Sequence, residues 1–240
     1  LGKIKMNRIT VILIIILSII SGKIFSQTER FEKDTIIEKN NPKSLNLNEN
    51  QIFIDTTRNS IFYKRIENWK KSKYDINDTK LSLKKLNENF KPKSIQLKEF
   101  PNNFITLRKL KGEYILYERC DGIDQRFELL KDSFIIYGPL ESKAHTIYKL
   151  IESKKGNIKL ELNSIESRTK FQKTIIEIHK INESVYEMTF KNKNRNFKIF
   201  LTTIERIREF NLVVNHCPKM KMSEFEKFDG MKKAELIEIE

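Results

Sequence analysis

The sequence predicts a mainly β protein, built as an antiparallel up-and-down barrel with a partly helical region before it. Short segments of alternating apolar and polar residues recur through residues 107–217. Brief polar turns separate these segments, as in a series of β-hairpins. No long helical run lies between them, which argues against parallel strands joined by helices. Eight or nine such strands would leave exposed edges unless the sheet closed, so a barrel is favoured.

The predicted strands are short and evenly spaced along the chain. Alternation is clearest where Ile158, Leu160 and Leu162 share one face and charged or amide side chains take the other. Such a pattern is typical of strands with one buried face and one solvated face. The nine strands are expected at residues 112–119, 126–130, 134–137, 145–152, 158–162, 173–181, 185–190, 197–202 and 211–216.

The N-terminus carries the pattern of a secretory signal peptide. A positive start at Arg8 precedes an almost unbroken apolar run over residues 9–20, and small residues follow that run. These features predict cleavage near Ser26, or earlier after Gly22. An uncleaved membrane anchor stays open as the alternative, although anchors usually need about 20 apolar residues. The expected location is therefore the periplasm or the cell exterior.

Four regions follow from these patterns. Residues 1–26 are expected to be the signal peptide, and residues 27–93 a polar leader with a partly helical N-terminal region. Residues 94–219 are expected to form the antiparallel barrel domain, and residues 220–240 a C-terminal tail. The domain starts where the apolar period changes from helical to alternating.

The region before the barrel contains one clear helix pattern. A short strand is predicted at 51–54, followed by an amphipathic helix over 60–71 in which Ile61, Phe62, Ile66 and Trp69 recur at helical spacing. Its apolar side is expected to pack on the β-domain, and a helix lying on a membrane surface is the alternative. The following segment, up to Phe90, is too rich in Lys and Asn to classify. A helical turn is expected near residues 203–210.

The chain is strongly basic, with a formal net charge of +14. Removing the first 26 residues takes away four basic residues and no acidic residue, which leaves +10. A basic chain suits an anionic lipid or glycan surface, but the basic residues are scattered among acids and also fit a solvated surface. Export and the lack of a nucleic-acid-binding motif argue against nucleic acid as a partner.

Two cysteines, Cys120 and Cys217, lie at the ends of the strand-rich stretch. An even pair in an exported protein predicts a disulfide, and two separate buried thiols are the alternative. A disulfide here would close a loop of almost one hundred residues. The chain-entropy model assigns such a loop about 4 to 5 kcal/mol of stabilisation.

The segment LKGEY at residues 110–114, at the start of a strand series in an exported protein, resembles the first strand of lipocalin-like or calycin barrels. In that family the first strand typically carries Gly-x-Trp, whereas here Tyr114 follows Gly112 at the same spacing. A disulfide that ties the barrel to its C-terminal segment is also found in the family. The resemblance covers residues 107–217 and implies a barrel whose interior suits a small apolar ligand.

Aromatic residues occur in nearly every predicted strand, and ordinary core packing is the simplest explanation for them. The alternative is that some line a cavity where tyrosine hydroxyl groups orient a ligand. The residues predicted to contact such a ligand are Tyr114, Tyr137, Tyr148 and Tyr186.

No residue pattern indicates catalysis. The three histidines, His145, His179 and His216, lack the paired spacing of a zinc site and are expected to be separate structural or surface residues. Acids such as Glu113 and Glu118 cluster near the first hairpin, where turn chemistry already explains them. The sequence lacks the G-x-S-x-G motif and any glycine-rich phosphate loop. No catalytic residue, metal ligand or cofactor is therefore predicted.

The predicted function is non-catalytic binding of a small hydrophobic or amphipathic molecule by an exported, monomeric protein. The alternative is a structural or interaction component of the cell envelope with a filled barrel, whose partner would be an envelope protein or an anionic surface. The third possibility is a hydrolase whose site cannot be recognised from the sequence. A cavity lined by Tyr114, Tyr186 and their neighbours would favour binding, and a solid core with an exposed apolar patch would favour interaction. Buried, converging carboxylates or histidines would favour a hydrolase.

Overall fold

The structure is a computed structural model that describes residues 47–97, 100–120, 122–167, 170–219 and 224–230. The predicted signal peptide, the leader up to residue 46 and the acidic end of the tail lie outside the described residues. Across the described ranges, the helices are all too short or too polar to cross a membrane.

Twelve strands and two α-helices make up the described part of the chain. The helices are α1, Ile61–Glu67, and α2, Lys73–Asn89, and a 3-10 helix spans Ile204–Glu209. The strands are β1 Gln51–Asp55, β2 Asn103–Leu110, β3 Glu113–Arg119, β4 Gly122–Ile123, β5 Arg126–Leu129, β6 Ser133–Tyr137, β7 Ser142–Lys154, β8 Asn157–Ile165, β9 Phe171–Lys180, β10 Tyr186–Lys191, β11 Asn196–Thr203 and β12 Asn211–His216.

Eight of these strands close into an antiparallel up-and-down barrel, as predicted. The hydrogen-bonded order runs from β2 through β11, β10, β9, β8, β7 and β6 to β5. Pairing of β5 with β2 closes the circle, with Phe104 opposite Phe127. This architecture is compatible with a calycin-like fold.

Two strands that were expected in the barrel lie outside it. β3 and β12 belong to a side sheet in which β12 runs parallel to β3 and antiparallel to β1. β2 pairs with β5 at its start and with β3 at its end, after a turn at Lys111 and Gly112 where both residues have positive φ, 53° and 82°. Such a two-residue turn folds β3 directly back onto the end of β2. The Gly112 to Tyr114 segment, which resembles the calycin first strand, therefore lies in the side sheet.

The predicted amphipathic helix is present as α1. It begins after Ser60, whose Oγ accepts hydrogen bonds from the backbone N–H groups of Phe62 and Tyr63. Phe62, Tyr63 and Ile66 are buried against one face of the side sheet. Packing on the β-domain, rather than on a membrane surface, is therefore confirmed for this helix.

The unclassified segment that follows is α2, which lies across the outside of β7. Its start is set by a capping box, in which Ser72 and Asp75 each accept a hydrogen bond from the other's backbone N–H. Leu86 is fully buried beneath this helix, and Asp75 accepts a hydrogen bond from Ser142 on β7. The local start signal explains why a helix forms in a segment so rich in Lys and Asn.

The barrel interior holds the main hydrophobic core. The predicted inward face of β8 is confirmed, since Ile158, Leu160 and Leu162 are all buried. One end of the barrel is closed by the segment before β2, where the backbone N–H of Ile95 donates to the carbonyl of Lys131 at 2.6 Å. The other end stays less tightly filled.

The predicted disulfide joins Cys120 to Cys217, with Cα atoms 5.5 Å apart. It links the ends of β3 and β12, so it fastens the side sheet rather than the barrel wall. A short strap at residues 224–230 covers the opposite face of this sheet from α1. Asp229 anchors the strap by accepting hydrogen bonds from the backbone N–H groups of Lys111 and Gly112.

Candidate functional site

A cavity of about 160 Å³ lies at the less tightly filled end of the barrel, among the turns that follow β8 and β10. Its position follows from the topology, because successive antiparallel strands bring alternate turns to the same end. Glu166, Asn192, Asn194 and Arg195 form part of its rim. The Oε1 atom of Glu166 accepts a hydrogen bond from Asn194 at 2.9 Å, which links two of these turns.

One wall of the cavity is polar and is built by three adjacent strands. His145 lies on β7, Ser164 on β8, and Gln172 and Thr174 on β9. The Nδ1 atom of His145 lies 2.7 Å from Ser164 Oγ, and Ser164 Oγ donates to Thr174 Oγ1 at 2.8 Å. His145, Ser164 and Thr174 therefore form a continuous hydrogen-bonded row on the inner surface of the barrel.

The other wall is apolar and comes from the strands across the barrel. Phe127, Ile136, Met188, Phe190 and Phe197 line it. Phe190 and Phe197 face each other across β10 and β11 and stack with ring centroids 5.0 Å apart. A flat or chain-like apolar group could pack against this surface. The cavity is thus amphipathic, with a polar side and an aromatic side.

His145 is the most deeply placed titratable group of the cavity, with only 5% of its surface exposed. Burial, assisted by the nearby Lys143 ammonium, lowers the pKa of His145 to about 4. The imidazole is therefore neutral at pH 7 and has one N–H group. Its Nε2 atom is buried and has no hydrogen-bond partner among the described residues.

The contact between Ser164 and His145 differs from a hydrolytic triad. In such a triad, one ring nitrogen of the histidine faces the serine and a carboxylate orients the other. Here the second nitrogen, Nε2, has no carboxylate or other partner within the described part of the chain. The hydroxyl of Ser164 also donates to Thr174.

The four tyrosines predicted to contact a ligand are not brought together by the fold. Tyr114 lies in the side sheet against Phe200, and Tyr137 packs outside the barrel against Trp69. The side chain of Tyr148 is on the outer surface and half exposed. Tyr186 faces the interior but lies at the closed end of the barrel, near Phe100. Their contact with a ligand stays a prediction, and the cavity has a different lining.

The three histidines also lie in separate places. His145 lines the cavity, His179 is exposed beside Glu177, and His216 contacts the carbonyl of Leu47. Within the described ranges, no three His, Cys, Asp or Glu side chains are grouped so that they could hold a metal ion.

The sequence predicts no ligand contact for the residues of the polar wall, although a signal for them exists. The predicted strand in β8 stops at Leu162, but the same alternation continues for one more step to Ser164. Likewise, Thr174 and Gln172 precede the inward-facing Ile176 at two-residue spacing. Ser164 and Gln172 lie just outside the predicted strands 158–162 and 173–181, and Thr174 lies inside the second of them. No ligand contact is predicted for these three residues, yet they line the barrel mouth.

Comparison of the chain with protein-family models, curated proteins and solved structures found no match. Function must therefore be inferred from the geometry of the cavity.

Proposed function

We propose that this chain is an exported, lipocalin-like, non-catalytic binding protein that holds a small amphipathic molecule in the less tightly filled end of its barrel. The observation that carries the proposal is the cavity with one polar and one aromatic wall. Recognition sites for small molecules commonly combine an apolar lining with a few convergent polar groups. The ligand would place its apolar part on Phe190 and Phe197 and its polar part against His145 and Ser164.

The size of the cavity limits the ligand. Pockets for drug-sized molecules occupy about 300–1,000 Å³, whereas this cavity has about 160 Å³. An apolar cavity of about 150 Å³ is enough for a single benzene ring. The bound part is therefore a ring-sized group, either a whole molecule or the end of a longer one that extends past the rim.

The disulfide supports the proposed location outside the cytosol. Disulfides persist in oxidising compartments such as the periplasm and the cell exterior. The Cys120–Cys217 bond fits such a compartment, as does the signal-peptide pattern of residues 1–26.

The proposal is tested by native mass spectrometry of the protein purified from its own host, followed by denaturation and identification of released small molecules. We expect a co-purified molecule of low mass in the wild type. A Gln172→Trp variant should lose it, because the added ring would fill the cavity mouth. Lys173→Trp is the matched control, since Lys173 is the next residue on β9 and is exposed.

Two results would overturn the proposal. One is that the wild type carries no small molecule and gains none when incubated with extracts of its host. The other is equal retention by Gln172→Trp and Lys173→Trp, which would place the molecule elsewhere. A retained protein partner in place of a small molecule would instead favour a structural or interaction role in the cell envelope.

A further inference from the structure

Two polar atoms on the polar wall are buried and have no partner among the described residues. They are Nε2 of His145 and Oε1 of Gln172. Both residues line the cavity, on β7 and β9 on either side of Ser164. Buried polar atoms in folded proteins are nearly always hydrogen-bonded, so such a pair at a cavity wall needs an explanation.

The hydrogen-bonded row indicates which ring nitrogen of His145 has the hydrogen. Ser164 has one hydroxyl hydrogen and donates it to Thr174. The tautomer that matches this donation has the imidazole as donor, from Nδ1 to Ser164 Oγ over 2.7 Å. A neutral imidazole with its hydrogen on Nδ1 has a lone pair on Nε2. In this tautomer, the cavity has an acceptor at this nitrogen.

The charged residues that line the cavity are Lys143, Arg195 and Glu166. Lys143 forms an ion pair with Glu141, with 2.9 Å between Nζ and Oε1. Glu166 contributes a carboxylate at the rim, where it accepts from Asn194. An anionic group that reached the polar wall would face the lone pairs of His145 and Gln172 and would lose its hydration there.

We infer that the cavity selects neutral molecules whose polar group donates a hydrogen bond, such as a hydroxyl on a ring-sized apolar body, and discriminates against carboxylates. This inference rests on the proposed function. A hydroxyl group placed between His145 and Gln172 would supply the missing donor while the ring packs on Phe190 and Phe197. A carboxylate would bring two more acceptors to a wall that already has unpaired ones.

The inference is tested with phenol, toluene and benzoate, three ring-sized probes, in NMR titrations of the full mature protein. Phenol and toluene have similar shapes, but only phenol has a donor. His145→Leu and Gln172→Leu each remove one acceptor. We expect each variant to bind phenol roughly three- to tenfold more weakly, as for the loss of one hydrogen bond. Toluene affinity should stay the same or increase, and the wild type should bind benzoate more weakly than phenol.

The outcomes separate this inference from the proposed function. Parallel loss of phenol and toluene affinity in the variants would mean that His145 and Gln172 act only through packing, and would overturn the inference alone. Benzoate binding as tight as phenol binding would also overturn it while leaving a functional cavity. Failure of all three probes to bind the wild type would overturn the inference, and the host-extract experiment would then decide the proposed function independently.

Discussion

The imidazole of His145 and the hydroxyl of Ser164 meet across β7 and β8, with Nδ1 and Oγ 2.7 Å apart. The contact lies beside the ladder pair of Thr146 and Asn163, so the strand register places it on the inner surface. It brings a titratable group into the barrel at a place where the core stops being apolar.

The first prediction concerns the pH dependence of stability at His145. The pKa of His145 is about 4 in the folded protein, below its ordinary value of 6.5. The stability from keeping this group neutral is complete above pH 6.5 and is lost as the pH falls through 4. The free energy of unfolding of His145→Leu should therefore rise by about 3 kcal/mol relative to that of the wild type as the pH falls from 7 to 4. Urea unfolding at both pH values measures this difference, and a constant difference would contradict it.

The second prediction concerns Glu118, a carboxylate buried in the side sheet. Burial raises the pKa of Glu118 to about 7, despite its ion pair with Arg65. For an acid with a raised pKa, the associated stability is present below 4.5 and is lost as the pH rises through 7. Glu118→Gln should thus become more stable relative to the wild type by about 3 kcal/mol between pH 4 and pH 8. The change in stability with pH at Glu118 has the opposite sign to the change at His145. Each effect must therefore be measured as a difference in stability between the variant and the wild type.

The third prediction concerns the disulfide. Cys120 and Cys217 are 97 residues apart in the chain, and a cross-link over such a loop is expected to contribute about 4 to 5 kcal/mol. Replacing both cysteines with alanine should lower the free energy of unfolding by that order. Chemical denaturation of the oxidised wild type and of the double variant provides the comparison. Equal stability of the two proteins would show that the side sheet needs no covalent link.

The fourth prediction concerns the two faces of β10. Met188 is fully buried inside the barrel, whereas the next residue, Thr189, faces outward opposite Lys198. Met188→Asp should unfold the protein, because an unpaired buried carboxylate costs several kcal/mol and total stabilities are only about 5–15 kcal/mol. Thr189→Asp should change the free energy of unfolding by less than about 1 kcal/mol. Circular dichroism with thermal unfolding distinguishes the two, and similar behaviour would mean that the strand register is wrong.

The sequence could have predicted that several residues of the candidate site face the barrel interior. It could not have predicted which of these residues meet in one site. Extending the alternation of β8 and β9 by one step puts Ser164, Gln172 and Thr174 on the inner face. Nothing local, however, shows that His145 lies opposite Ser164, because that depends on how β7 and β8 are aligned. The tyrosines illustrate the reverse case. Tyr137 and Tyr148 lie in correctly predicted strands, yet both side chains are on the outer face of the barrel wall.

The sequence by itself determined the features that depend on neighbours along the chain. Alternation at Ile158, Leu160 and Leu162 sets which side of β8 is buried, and Ser60 fixes the start of α1, because strand faces and helix caps are local properties. Only the tertiary structure decided that β2 closes the barrel and that β3 leaves it. Backbone groups can pair with any strand that reaches them, so the choice depends on contacts between distant segments. The cavity depends on that choice, since its polar and aromatic walls face each other only once the barrel is closed.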